Sequence, residues 1–102
     1  MSFRVQREGP RVQLSGTVEH ASAVAAREAL VRALDGLSGE VVLELSGLES
    51  ASSVSISVLL RVMAEADRRK LELRLESMPR RLFEMARVSG LDSILPIESL
   101  SG

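Results

Sequence analysis

The sequence predicts an α/β domain: a mixed central sheet of four to five strands, an N-terminal hairpin and about three helices. Three features carry this. Apolar and polar residues alternate through Phe3–Leu14 and are interrupted by Glu8-Gly9-Pro10, the pattern of an antiparallel hairpin. Two short apolar runs, Val41–Leu45 and Leu71–Leu75, stand apart as strands. The segments between and after them carry apolar residues at helical spacing. Strands alternating with helices give right-handed crossovers and parallel pairing, so the hairpin makes the sheet mixed.

In chain order, Phe3 and Val5 alternate with Arg4 and Gln6, and Val12-Gln13-Leu14 resumes the pattern after the turn. From about Ser22 to Leu37, Ala23, Ala26, Leu30, Ala33 or Leu34, and Leu37 recur on one helical face, with Gly36 and Gly39 at the exit. Val41–Leu45 is apolar and β-branched, as in a strand buried on both faces. A second helix spans about Val54 to Arg69. Leu71-Glu72-Leu73-Arg74-Leu75 alternates strictly, as a half-buried strand does. Ser77-Met78-Pro79 opens a third helix, with proline in its first turn; Gly90 stops it, and Arg87 lies near its negative end. Ile94–Ile97 is expected as a short edge strand, where Pro96 is tolerated. Ser99–Gly102 is expected to be a frayed tail of the one domain, residues 1–102.

The 102 residues, 45% of them hydrophobic, suffice for one core. No apolar run approaches the ~18 residues of a membrane span, and the N-terminus lacks the apolar stretch of a signal peptide, so a cytoplasmic location is expected. Thirteen basic and 14 acidic residues give a net charge of −1, without the basic field of a nucleic-acid binder. Phe3 and Phe83 are the only aromatics, too few for base stacking. No cysteine and a single His20 remove thiolate and multi-histidine metal sites. Neither a Gly-x-Ser-x-Gly elbow nor a glycine-rich phosphate loop occurs. No cofactor, metal or catalytic residue is predicted, and His20 reads as solvent-exposed or capping.

One junction remains to be explained. The strand at Val41–Leu45 runs through Ser46-Gly47-Leu48-Glu49-Ser50-Ala51 into Ser52-Ser53, which opens the second helix. Ser52 or Ser53 can cap that helix; a serine left free at its positive end could meet a partner or accept a phosphoryl group. At ~100° per residue, Ile56, Leu59, Leu60, Met63 and Ala66 form the core stripe. Val54 and Val58 fall with Ser57 and Arg61 on the opposite side, so both valines are expected to be exposed. Ser52, Ser53, Val54, Ser57, Val58 and Arg61 are therefore the candidate partner-binding residues, since interfaces join apolar patches to polar rims. Association of the chain with itself through those valines would also fit. Ser55 points toward the core. Arg80, Arg81 and Arg87 form a modest basic group on the third helix.

Through Leu43-Glu44-Leu45-Ser46-Gly47-Leu48, the serine pair and the following helix, the chain resembles the STAS domain family, whose founding members are anti-sigma factor antagonists. The family's usual loop reads Asp-Ser/Thr-Ser/Ala-Gly-Leu; here Ser52 takes the aspartate place, Ser53 the hydroxyl place, Val54 the small-residue place, Ser55 the glycine place and Ile56 the leucine place. The segment Ser77–Leu91 is similar to stand-alone MlaB-type STAS proteins. That resemblance implies a STAS-like fold and a non-catalytic cytoplasmic subunit that binds the ATPase of a bacterial phospholipid-transport ABC complex, which would hold it at the inner face of the membrane. The sigma-regulating branch implies the alternative, an antagonist phosphorylated at Ser53 by an anti-sigma factor kinase.

Overall fold

The computed structural model describes residues 2–101. The chain runs β1 (Phe3–Glu8), β2 (Arg11–Gly16), α1 (Ala23–Ala33), β3 (Glu40–Glu44), α2 (Ser53–Arg68), β4 (Glu72–Glu76) and α3 (Arg80–Val88), with a single 3-10 turn, His20–Ser22, leading into α1. The sheet order is β1-β2-β3-β4. The hairpin pairs antiparallel, with Phe3 opposite Gly16 and Glu8 opposite Arg11; β2–β3 and β3–β4 pair parallel. The mixed sheet and opening hairpin are as the sequence predicts.

Each crossover from β2 to β3 and from β3 to β4 steps the sheet in the same direction. Right-handed connections that advance one way put their helices on one face, so α1 and α2 share a side. This corrects the expectation that β3 is buried on both faces. Val41, Leu43 and Leu45 are buried under the helices, whereas Glu40 is exposed and Val42 and Glu44 are only half-buried on the other face. There the register aligns Gln6, Gln13, Glu44 and Glu76 across all four strands. Polar partners join β2, β3 and β4 across that face: Gln13 donates to Glu44 at 3.2 Å, Arg11 pairs with Glu76 at 2.9 Å, and Arg74 bridges Glu40 at 2.7 Å and Glu98 at 2.8 Å. Partial burial pulls the Glu44 carboxyl up, but hydrogen bonds from Ser46, Gln13 and Ser77 outweigh it and hold the group below the ordinary carboxylate value.

The elements around this core differ from expectation in three places. Helix α1 ends at Ala33, earlier than Leu37, because Gly36 at φ +77° turns the chain and Arg7 from β1 donates to the carbonyls of Ala33 at 3.2 Å and Asp35 at 2.7 Å, covering the helix's negative end. Pro79 is the N-cap of α3 (φ −57°, ψ 135°) and stands just before its first turn. Ile94–Ile97 is no regular strand, and the tail is not frayed through Ser101. Instead Ile97 and Leu100 make single parallel bridges to Leu75 and Met78, Met78 N–H donates to Ser99 O at 3.0 Å and Ser101 N–H to Met78 O at 2.9 Å. Backbone donors left at the outer side of β4 find partners there. Gly102 lies outside the described residues.

Candidate partner-docking site

The loop after β3 is held before α2 begins. Gly16 N–H donates to Gly47 O at 2.9 Å and Glu49 N–H to Gly16 O at 2.7 Å, which binds the loop to the end of β2. Gly47 is required for that approach, since a Cβ there would sit 2.8 Å from the Cβ of Ser15. Three hydroxyls continue the hold. Val18 N–H donates to Ser50 Oγ at 3.0 Å, Ser50 Oγ meets Ser55 Oγ at 3.0 Å, and Ser55 Oγ lies 3.4 Å from Ser52 Oγ. Ser52 is the N-cap of α2, in extended backbone, and its Oγ accepts from Ser55 N–H at 3.3 Å. The capping reading is thus correct for Ser52, and its consequence falls on its neighbour. Ser53, the first helical residue, is exposed and carries no side-chain hydrogen bond among the described residues.

Ser57 and Arg61 are exposed on α2 and Val54 is half-buried. Val58 is not exposed: it keeps 4% of its surface and belongs to the core. Its burial corrects the helical projection. The buried residues of α2 are Ser55, Ile56, Val58, Leu59, Val62 and Ala66, a stripe rotated by roughly 60° from the expected one at ~100° per residue, with Leu60 and Met63 at its half-buried margin. Helix α1 packs along α2 on that side, and a projection of one helix contains no information about its neighbour.

The same packing makes a groove of about 160 Å³ between the helices, with Ala23, Val24 and Arg27 on α1 facing Ser57, Val58 and Arg61 on α2. Val24 is 58% exposed. Neither Arg27 nor Arg61 has an ion-pair partner among the described residues. The groove thus offers apolar surface between two unneutralised guanidinium groups, beside the free hydroxyl of Ser57. Ala23 was expected only as part of the apolar face of α1, and Val24 and Arg27 were not singled out as site residues, because all three lie some thirty residues upstream of α2. Their only signal was a valine and an arginine off the core stripe of α1. A larger hollow of about 610 Å³ on the open sheet face includes Gln6, Arg11, Gln13 and Glu44 among its lining; Gln13 and Glu44 are bonded to one another and Arg11 to Glu76.

The other candidates divide. Arg87 is taken by Glu84 at 3.1 Å, which reduces the basic group to Arg80 and Arg81. His20 is exposed in its short turn, with no hydrogen bond to a serine among the described residues. No group of three metal-ligating side chains occurs among the described residues, and none of their helices is long and apolar enough to cross a membrane.

The family model described as Mlab, STAS domain matches residues 1–96. The chain belongs to the STAS domain family. Solved STAS structures have the same fold. An anti-sigma-factor antagonist (STAS) domain protein from Planctomyces limnophilus superposes with a TM-score of 0.74 at 19% identity, covering 98% of this chain and 91% of that one. The anti-sigma factor antagonist SpoIIAA in its unphosphorylated form gives 0.73 at 15% identity, covering 98% and 89%. An anti-sigma factor antagonist from Mycobacterium paratuberculosis gives 0.70 at 20%, covering 94% and 83%. A search of curated protein sequences found no relative.

Against the usual STAS loop, the departures of this chain have physical counterparts. Ser52, at the aspartate place, keeps the N-cap, for which serine and aspartate are nearly equivalent. Ser55, at the glycine place, is helical with negative φ, so no glycine is needed there. Its hydroxyl, 1% exposed, joins Ser50 to Ser52. Ser55→Ala is expected to lower stability by about 1 kcal/mol by removing the link between Ser50 and Ser52, each of which keeps one backbone donor, read as a lower urea midpoint with an unchanged slope. A midpoint equal to that of the parent chain would mean the hydroxyl chain does not hold the loop.

Proposed function

We propose that this STAS domain is a non-catalytic, MlaB-like interaction subunit that binds the ATPase of a bacterial phospholipid-transport ABC complex through the α1–α2 groove and the adjoining Ser52-Ser53 loop. The observation that carries this reading is the groove itself: exposed Val24 beside the core residue Val58, flanked by unpaired Arg27 and Arg61 and by Ser57. Apolar contact there would supply desolvation, while the arginines and Ser53 would supply orientation. The match to the Mlab family model over residues 1–96 supports the choice of partner, and such a partner would place the protein at the inner face of the cytoplasmic membrane.

The test is affinity purification of the tagged chain from its own cells, with bound proteins identified by mass spectrometry. An ABC ATPase and its permease are expected. Val24→Glu and Arg61→Glu, both at exposed positions, are expected to cut recovery about ten-fold or more, as central interface residues do, with unchanged thermal unfolding. Undiminished recovery by both variants would remove the groove from the reading.

One observation favours a second reading, an anti-sigma factor antagonist regulated at Ser53. That hydroxyl is exposed on the first residue of α2, where a phosphate would be stabilised by the helix dipole and would add up to about two negative charges to the docking surface. Recovery of a serine kinase or anti-sigma factor in place of the transporter, abolished by Ser53→Asp, would establish this reading over the first.

A further inference from the structure

The two edges of the sheet are unequal. The outer side of β4 is covered, since Leu75 N–H donates to Pro96 O at 2.8 Å and Glu98 N–H to Leu75 O at 2.7 Å. Beside β1 no such segment lies among the described residues. Which groups of β1 are free follows from the ladder. Thr17 N–H donates to Ser2 O at 3.1 Å, so Ser2–Thr17 is a hydrogen-bonded pair in the register that sets Phe3 opposite Gly16. Bonded and non-bonded pairs alternate in an antiparallel ladder. Arg4, Gln6 and Glu8 therefore bond to β2, and the N–H and C=O of Phe3, Val5 and Arg7 point outward.

We propose that this edge binds a second copy of the chain, whose β1 adds antiparallel about a two-fold axis through Gln6 and continues the sheet. Antiparallel addition with a two-fold requires the axis to stand perpendicular to the sheet, so both open faces lie on the same side and residues facing each other have the same parity. Four centres remain within β1. Centring on Arg4 or on Arg7 sets like charges directly opposite, which is destabilising. Centring on Val5 places Arg4 against Gln6 and leaves Glu8 without an opposite charge. Centring on Gln6 sets Arg4 against Glu8 twice, once on each side of the axis. Both side chains are exposed, and neither has an ion-pair partner among the described residues. The same register aligns Val5 with Arg7 of the second copy, and these are the residues whose backbone groups point outward. It thus forms four inter-chain backbone hydrogen bonds.

Charged side chains on an edge usually discourage pairing; here they oppose the registers centred on Arg4 and Arg7, give the one centred on Val5 no ion pair, and favour the fourth. Because the contact is two-fold, it closes after two copies and builds no fibre. This edge lies apart from the valines expected from the sequence to self-associate, one of which, Val58, is buried. The inference is independent of the proposed function, which uses the α1–α2 groove.

The absence of cysteine makes a single introduced thiol diagnostic. In Gln6→Cys the two Cβ atoms would face each other in a non-hydrogen-bonded pair about 4.5–5.5 Å apart, near disulfide geometry. In Arg4→Cys or Glu8→Cys the symmetry-related positions are offset by four residues, about 13 Å, out of reach. Mild oxidation of purified protein is expected to cross-link Gln6→Cys at least ten-fold faster than either control. Sedimentation of the cysteine-free chain is expected to show a concentration-dependent dimer, weakened about ten-fold or more by Arg4→Glu or by Glu8→Arg and restored by the two together. Equal cross-linking at all three positions, a monomer throughout, or a double variant as weak as the single ones would overturn the proposal. So would cross-linking of Gln6→Cys to a different protein in cell extract in place of its own copy.

Discussion

Val58→Glu is expected to destabilise the protein strongly, an outcome opposite to what its place on the polar side of a helical wheel suggests. The side chain keeps 4% of its surface and sits between α2 and α1. A carboxylate there would be drawn out of water on the core side of the groove, with Arg27 and Arg61 only at its outer rim, so the buried charge is compensated in part and costs about 3 kcal/mol. In a domain of this size that lowers the melting temperature by more than about 12 °C, readable by circular dichroism. Ser57→Glu, one position earlier but exposed, should melt within a few degrees of the parent chain, as surface substitutions do. If Val58→Glu melted alongside Ser57→Glu, the seam between α1 and α2 would not be closed as described. Loss of binding by Val58→Glu therefore measures folding, and docking is better read at Val24 and Arg61.

Gly16→Ala carries the second large effect. Gly16 has φ +86°, and a Cβ there would run into the carbonyl oxygen of Ser2 and lie 3.1 Å from the Cα of Phe3. Both obstacles are backbone, so relief requires β1 to shift where it enters the sheet. The left-handed conformation costs about 1 kcal/mol for an L-residue, and the clash brings the total to about 2–4 kcal/mol. The shift also strains the bonds by which Gly16 holds Gly47 and Glu49, so the serine loop should loosen with it. Gly9→Ala is the control: φ is +60° and nothing lies within 4 Å of the added carbon, leaving the conformational cost alone. Urea denaturation of both variants separates the terms. Equal losses would show that the close approach to Ser2 contributes nothing.

The fold was legible because its signals are local. Gly9-Pro10 between alternating residues gives the hairpin, and Leu71–Leu75 gives β4, without knowledge of the rest of the chain. The N-cap at Ser52 is also local, because it depends on residues three apart. What was not legible depends on which elements meet. Val41-Val42-Leu43 reads as buried on both faces, yet the side of β3 that carries Glu40 and Glu44 stays open because the crossovers place α1 and α2 together on the other side. Val58 lies off the apparent core stripe and becomes core because α1 arrives there. The site divides in the same way: Ser53, Ser57 and Arg61 were found from α2 alone, whereas Val24 and Arg27 belong to the groove only through the packing of α1.

That packing ties recognition to folding. The seam that a docked partner would touch is the seam that holds α1 to α2, with Val58 at once in the core and in the groove. An occupant spanning both helices has nothing to grip in the unfolded chain, so its binding energy adds to the work of separating them. At a hundred-fold excess over its dissociation constant the addition is about 2.7 kcal/mol, a sizeable fraction of what a domain of this size has in total. Resistance to unfolding would then vary with the supply of occupant, and the unoccupied chain would be the more perishable of the two states.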